Sequence, residues 1–186
     1  MARFFFSLLI VVIITFSSCN TESTDQGKKD YNLFFDLEAY FEQEADRLEG
    51  NAPKVIKKVS FNGEEEIQEL DDLNFNVEFA PFRASNINLP SFSDKYKADT
   101  IYYENGNLKL MSYTALDDKS KTRTVELNHN ENGALSEIII ENKVGSFTQA
   151  TNQVLKYTVG KKIEIKTEQS VLFADAEKLN FEIIIQ

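Results

Sequence analysis

The sequence predicts an α+β domain, in which one or two N-terminal helices pack on an antiparallel β-meander of about six to seven strands. The sheet is expected to be open or to curl into a half-barrel. Three observations support this fold class. Apolar residues recur at helical spacing early in the chain, and short alternating segments separated by turn residues follow from residue 99 onward. Fifteen Phe and seven Tyr, with no Trp, also favour an aromatic core built on strands.

The first helix is predicted in DYNLFFDLEAYFEQEADRLEGNAP, with Asp30 as its N-cap and with Gly50 and Pro53 ending it. One face carries apolar residues three and four positions apart, namely Leu33, Phe34, Leu37, Tyr40, Phe41 and Leu48. The opposite face carries the acidic residues Asp36, Glu38, Glu42, Asp46 and Glu49. We interpret the acidic face as solvated surface rather than as a metal site.

The next two segments differ in how clearly they are patterned. In KVIKKVSFNGEEEIQEL, the pair Asn62-Gly63 between two extended runs predicts a hairpin. The segment LDDLNFNVEFAPFRASNIN alternates as a strand would, but Phe75, Phe79 and Phe82 also have helical spacing. We favour a second helix over residues 72–84, with Asp72 as its cap and Pro81 disturbing its last turn.

The remainder of the chain predicts the meander. Hairpins are expected across Asn105-Gly106, across residues 131–133 and near Gly160-Lys161, and KLNFEIII forms a closing strand. Because each strand follows its neighbour after a short turn, sequential antiparallel pairing is expected.

The first eighteen residues have the organisation of a signal peptide. Arg3 supplies a positive charge, Phe4 to Phe16 are mostly apolar, and Ser17 and Ser18 are small. The apolar run is shorter than the roughly 20 residues that a bilayer-spanning helix needs. We therefore predict a cleaved export signal over residues 1–18.

Cys19 directly follows this segment and is the only cysteine of the chain, so it has no disulfide partner within it. The ending FSSC resembles the lipobox of bacterial lipoproteins, although Phe16 stands where Leu is commoner. The resemblance implies that Cys19 carries a diacylglycerol and becomes the mature N-terminus. The alternative is an ordinary secretory signal with a cysteine nearby. NTESTDQGKKD then predicts a polar tether, so residues 19–29 form the anchor and tether and residues 30–186 form the domain.

The chain as a whole resembles uncharacterised small lipoproteins of Bacteroidota-type bacteria. The resemblance rests on FSSCN, FFDLEAYFEQEADRL, PKVIKKVSFNGEEE and ASNINLPSFSDKYKAD, and the acidic residues Glu22 and Asp25 resemble lipoprotein export signals of such bacteria. It implies an outer membrane lipoprotein whose domain faces the periplasm or the cell surface. The helix and meander are also similar to the open half-barrels of lipoprotein carriers, which is a likeness of architecture alone.

Composition argues against several functions. A net charge of −10 without a basic stripe disfavours nucleic-acid binding. His129 is the only histidine, so the usual catalytic triads and two-histidine metal sites cannot be assembled. The seven glycines form no phosphate-binding motif. We therefore expect no enzyme activity, cofactor or metal, although a pair of carboxylates acting on a glycoside remains a third functional class.

One long loop, NINLPSFSDKYKAD, is the candidate contact segment. Its candidate residues are Asn86, Leu89, Pro90, Phe92 and Tyr96, because long ordered loops are often functional. The favoured alternative is that Leu89, Phe92 and Tyr96 cover one end of the sheet.

These observations predict a membrane-anchored lipoprotein of the bacterial envelope with a non-enzymatic binding or interaction domain, whose partner would be an envelope protein. The alternative function is a carrier that holds a lipid or another hydrophobic small molecule in a half-barrel cavity.

Overall fold

The computed structural model describes residues 33–186, which form an α+β domain with a nine-stranded antiparallel sheet. The predicted signal peptide, Cys19, the tether and Asp30 lie outside the described residues.

Helix α1 spans Leu37–Asn51, and Asp36 caps it by accepting a hydrogen bond from the Ala39 backbone N–H at 3.1 Å. The helix therefore starts later than the sequence predicted, and the exposed Leu33 precedes it. The predicted apolar face is otherwise present, since Leu37, Phe41 and Leu48 are buried.

Strands β1 (Val55–Phe61) and β2 (Glu64–Leu70) form the predicted hairpin. Asn62 and Gly63 both have positive φ, at 50° and 95°. This left-handed backbone is the reason that Asn-Gly favours two-residue hairpin turns, and the prediction is confirmed.

The predicted helix over residues 72–84 is wrong as a single element. Two four-residue helices occupy this segment, α2 (Phe75–Glu78) and α3 (Ala80–Arg83), with Asn74 rather than Asp72 as the first cap. Pro81 lies in the first turn of α3, where its missing N–H costs least, so the helical path is interrupted at Phe79. Phe75, Phe79 and Phe82 are all buried, as the helical spacing predicted.

A short 3-10 helix at Pro90–Phe92 leads into seven sequential strands. They are β3 (Tyr96–Tyr102), β4 (Leu108–Ala115), β5 (Thr122–His129), β6 (Leu135–Gly145), β7 (Gln149–Thr158), β8 (Lys162–Val171) and β9 (Glu177–Ile185). Three of the connecting turns lie where the sequence predicted them.

The sheet has the strand order β2-β1-β9-β8-β7-β6-β5-β4-β3, so it is open, with β2 and β3 at its edges. The predicted count of six to seven strands is too low, because the N-terminal hairpin joins the meander. β1 pairs with β9, placing Val55 opposite Ile185. This contact joins two distant parts of the chain, which local sequence patterns do not reveal.

The core lies between the helices and one face of the sheet. A row of directly opposed residues crosses five central strands, namely Leu127, Ile138, Tyr157, Ile163 and Ile183. The rings of Phe41 and Phe79 pack on Tyr157, with centroids 5.7 and 5.0 Å away. The other face carries ion pairs such as Lys156–Glu137 at 2.8 Å.

The antiparallel order places the connections at two opposite ends of the sheet. The β1–β2, β4–β5, β6–β7 and β8–β9 connections share one end, which we call the tip end. The β3–β4, β5–β6 and β7–β8 turns lie at the other end.

Candidate functional site

In the predicted contact segment, the Asn86 side chain forms hydrogen bonds at the start of α1. Its side-chain Oδ1 accepts hydrogen bonds from the backbone N–H groups of Leu37 and Asn88, both at 3.2 Å, and its Nδ2 donates to Asp36 Oδ1. Asn86 therefore supplements Asp36 in satisfying the free N–H groups at the start of α1.

The other predicted contact residues divide into covered and exposed groups. Tyr96 is buried, and its hydroxyl donates to the Thr122 carbonyl oxygen at 2.8 Å. Phe92 is partly buried and packs edge-on against Tyr96 at 5.8 Å. Leu89 and Pro90 are exposed. Phe92 and Tyr96 thus help to cover the β3 side of the sheet, while Leu89 and Pro90 face solvent.

Replacing Asn86 by alanine is expected to destabilise the domain by about 1–2 kcal/mol, because the first-turn N–H of Leu37 loses its acceptor. The measurement is the free energy of unfolding in urea. Leu89→Ala, on the exposed part of the same segment, serves as the control and should change stability by less than about 0.5 kcal/mol. Equal stability of the two variants would contradict the structural role of Asn86.

A buried polar cluster lies between α1 and the sheet, and the sequence analysis missed it. The Tyr157 hydroxyl donates to Glu44 Oε1 and accepts from the Gly160 backbone N–H at 2.7 Å. Arg47 binds both carboxylate oxygens of Glu44 at 2.7 Å. Glu44 is 7% exposed, so its charge is compensated chiefly by these two donors. The arrangement ties the helix to β7.

Burial, followed by the hydrogen bond to Glu44, raises the pKa of Tyr157 above its ordinary value. A tyrosine with a raised folded-state pKa stabilises the fold below about pH 10, and this contribution is lost as the pH rises further. We expect the wild-type free energy of unfolding to fall more steeply above pH 10 than that of Tyr157→Phe. Urea unfolding between about pH 8 and 11 measures both slopes, and identical slopes would contradict the assignment.

The tip end carries the largest exposed apolar side chains of the described residues. Phe147 in the β6–β7 turn is 93% exposed, and Phe173 in the β8–β9 connection is 98% exposed. Val144, Val171 and Leu172 flank them and are also exposed. We call these five residues the tip surface. The Leu172 backbone N–H donates to the Thr148 carbonyl oxygen at 2.9 Å, so the two connections are adjacent.

A layer of polar side chains separates the tip surface from the core. Asn142 donates to Ser85 Oγ at 2.8 Å, and Gln153 donates to Thr167 Oγ1 at 3.3 Å. These strand residues continue the core-facing rows of β6, β7 and β8 towards the tip end. These polar residues interrupt the apolar rows before Val144 and Val171 at the strand ends, so Phe147 and Phe173 are separated from the buried core.

An open groove of about 620 Å³ borders the tip surface and is lined by several basic side chains. Its charged residues are Asp118, Lys119, Lys121, Arg123 and Lys143. The Arg123 guanidinium donates hydrogen bonds to the backbone carbonyl oxygens of Asp117 and Asp118. Lys119, Lys121 and Lys143 form no salt bridge with any residue that the structure describes. We call these three residues the lysine cluster.

The single histidine of the sequence lies at the end of the sheet opposite the tip surface. His129 lies at the end of β5, with Nδ1 3.2 Å from the Leu127 carbonyl oxygen. Among residues 33–186, no three His, Cys, Asp or Glu side chains are grouped to hold a metal ion. Within this range there is also no helix of sufficient length and apolarity to cross a bilayer.

Comparisons with protein-family models, curated proteins and solved structures found no match for this chain.

The sequence did contain a signal for the tip surface. Hairpin connections are usually rich in Gly, Asn, Asp, Ser and Pro, whereas GSFTQ and VLFADA place a phenylalanine at the turn.

Proposed function

We propose that this protein is a membrane-anchored lipoprotein of the bacterial outer membrane, and that its domain is a non-enzymatic interaction module facing the periplasm or the cell surface. The tip surface is the observation that carries the second part. Two fully exposed phenylalanines on adjacent turns leave apolar area in water, which favours an interaction site over a purely structural role.

The anchor is supported by the sequence around Cys19. An export-type segment ends in small residues directly before the only cysteine, and a polar stretch precedes the domain. Two acyl chains on that cysteine would give stable attachment to a membrane, where one chain binds only marginally.

The filled interior favours the interaction module over the alternative carrier. Phe41, Phe75, Phe79, Phe82 and Tyr157 are each at most 1% exposed, and they occupy the space between the helices and the sheet. Neighbouring rings in this cluster have centroids 4.7 to 6.2 Å apart, as close-packed aromatic pairs do. A carrier would need this region to open.

The anchor is tested by expressing the full-length chain and its Cys19→Ser variant in a bacterium that processes lipoproteins. The wild type is expected to incorporate a labelled fatty acid and to fractionate with membranes. The variant should do neither, because its side chain cannot form the thioether. A labelled variant, or an unlabelled wild type cleaved at another residue, would contradict the anchor.

The interaction module is tested in the same cells with a photo-reactive amino acid at residue 147 or 173. Tyr102, which is 59% exposed and lies beside the β3–β4 turn at the opposite end of the sheet, is the matched control. Adducts are expected from residues 147 and 173 and not from residue 102. Equal yields at all three positions would contradict a defined contact surface at the tip end.

A further inference from the structure

We propose that the tip surface and the lysine cluster together dock the domain onto an anionic lipid surface. This inference rests on the proposed function, because it names the partner of the same surface. Phe147, Phe173 and Leu172 would enter the boundary between the lipid headgroups and the acyl chains. Lys119 and Lys143 would contact the phosphates, with Lys121, whose Nζ also donates to the Ala84 carbonyl oxygen at 3.3 Å, beside them.

The two phenylalanines are arranged to enter a flat apolar layer together. Their hairpins are centred two strand positions apart, which is about 10 Å at the usual strand spacing. Phe147 projects from a turn of three residues, and Leu172 flanks Phe173 in the neighbouring connection. Aromatic and leucine side chains on a surface with lysines beside them are typical of interfacial membrane binding.

The backbone holds these side chains outward. Phe173 has a φ of 64°, a left-handed conformation that is costly for a bulky residue. The β6–β7 hairpin is closed by the Ser146 N–H donating to the Gln149 carbonyl oxygen at 2.6 Å. Gly145 permits this closure, because a Cβ there would lie 3.1 Å from the Gln149 carbonyl oxygen. The tip surface is therefore already exposed in the folded domain, and docking requires no unfolding.

Charge distinguishes an anionic lipid surface from other apolar partners. The chain carries 30 acidic and 20 basic residues, yet three lysines without carboxylate partners cluster beside the tip surface. Acidic residues also lie at the tip end: Asp117 and Asp118 in the β4–β5 connection, Asp175 and Glu177 at the β8–β9 connection, and Glu64 to Glu66 after the β1–β2 turn, while Glu141 precedes Lys143 by two residues on β6. Asp117 accepts from the Lys119 and Ser120 N–H groups, at 2.8 and 2.9 Å, so its carboxylate is partly engaged by the backbone. Lysines near an anionic bilayer each contribute favourably to binding.

Phe34, one of the first described residues, lies close to the tip end of the sheet. Phe34 packs on Tyr96 and Tyr113, with ring centroids 5.9 and 5.3 Å away. Tyr96 pairs with Ala115, the last residue of β4 before the β4–β5 connection at the tip end. From Cys19 to Leu33 the chain can span at most about 50 Å. An anchor at Cys19 would therefore keep the domain within reach of the bilayer, where even weak docking is favoured by high effective concentration.

The absence of Trp from the sequence allows a direct test. The lipidated full-length chain is prepared with Phe147→Trp or Phe173→Trp and reconstituted in phosphatidylethanolamine–phosphatidylglycerol vesicles with brominated acyl chains. Bromine quenches only a tryptophan that reaches the acyl region. We expect blue-shifted emission and at least about twofold quenching at both positions, since an interfacial side chain is buried about 5–10 Å into the boundary.

Tyr102→Trp is the matched control, and it should be unquenched. In vesicles of phosphatidylcholine alone, quenching at residue 147 should fall. Replacing Lys119 or Lys143 by glutamine should reduce the ratio of docked to undocked domain about fivefold per charge. Lys156→Gln, at a lysine paired with Glu137 on the outer face, should leave this ratio unchanged.

Quenching no greater at residues 147 and 173 than at residue 102 would overturn the lipid assignment. Photo-adducts from residue 147 that contain one specific protein and no lipid would do the same, while leaving the interaction module intact. The intact mass of the same preparation reports the anchor separately. A failure of lipid docking and a failure of lipidation are therefore distinguished.

Discussion

Phe79→Ala is expected to lower the free energy of unfolding by about 3–5 kcal/mol, the usual cost of removing a buried phenylalanine. Phe79 is fully buried between the helices and the sheet. Its ring lies 4.8 Å from Phe41, 5.0 Å from Tyr157 and 5.9 Å from Phe82, measured between centroids. Truncation would leave a cavity at the centre of this cluster, and the two short helices on either side would lose their common contact.

The measurement is urea unfolding followed by circular dichroism. Val77→Ala is the matched control, because Val77 lies in α2 but is 62% exposed, and it should cost less than about 0.5 kcal/mol. A loss at Phe79 no larger than the loss at Val77 would mean that the aromatic cluster does not hold the helices on the sheet.

Glu44→Ala is expected to cost about 3–4 kcal/mol, because it leaves the buried Tyr157 hydroxyl without its acceptor and removes the partner of Arg47. Glu44→Gln should cost less, since an amide oxygen can still accept from Tyr157. The comparison separates the loss of the hydrogen bond from the loss of the charge.

Glu42→Ala, an exposed acidic position on the same helix, is the control for this series and should be nearly neutral. The double variant with Tyr157→Phe measures the coupling between the two side chains. We expect the two losses to be less than additive, because each variant breaks the same hydrogen bond. Full additivity would contradict a direct contact between Glu44 and Tyr157.

The parts of the fold that the sequence predicted well are those governed by local backbone chemistry. Asn62-Gly63 and Asn105-Gly106 lie at hairpin turns, because Asn and Gly tolerate left-handed backbone. The apolar stripe of α1 predicted the buried face of the helix. The predicted start of α1 was wrong, because Asp36 and not Asp30 provides the N-cap.

The parts that were missed depend on distant contacts. The nine-stranded sheet requires β1 to pair with the last strand, and no local pattern encodes that pairing. Glu44 lies on the buried face of α1 with Phe41 and Leu48, where Tyr157 and Arg47 satisfy its charge. The length of the segment around residues 86–96 predicted a contact loop, but Asn86 and Tyr96 form hydrogen bonds within the domain.

The tip surface could not be derived from hydropathy alone. Hydropathy does not distinguish an exposed phenylalanine from a core phenylalanine, and the hairpin register is what places residues 147 and 173 together at one end of the sheet. The separation from the core likewise depends on Asn142 and Gln153 facing the same side as the apolar rows.

Hydrogen–deuterium exchange of the lipidated protein, compared between native membranes and detergent, is the decisive measurement of contact at the tip surface. We expect slower exchange on membranes at residues 146–149 and 172–176, with no change at the β3–β4 and β5–β6 turns at the opposite end. Protection confined to residues 86–92, or no protection at the tip end, would contradict the claim that the tip surface is where this domain makes its contact.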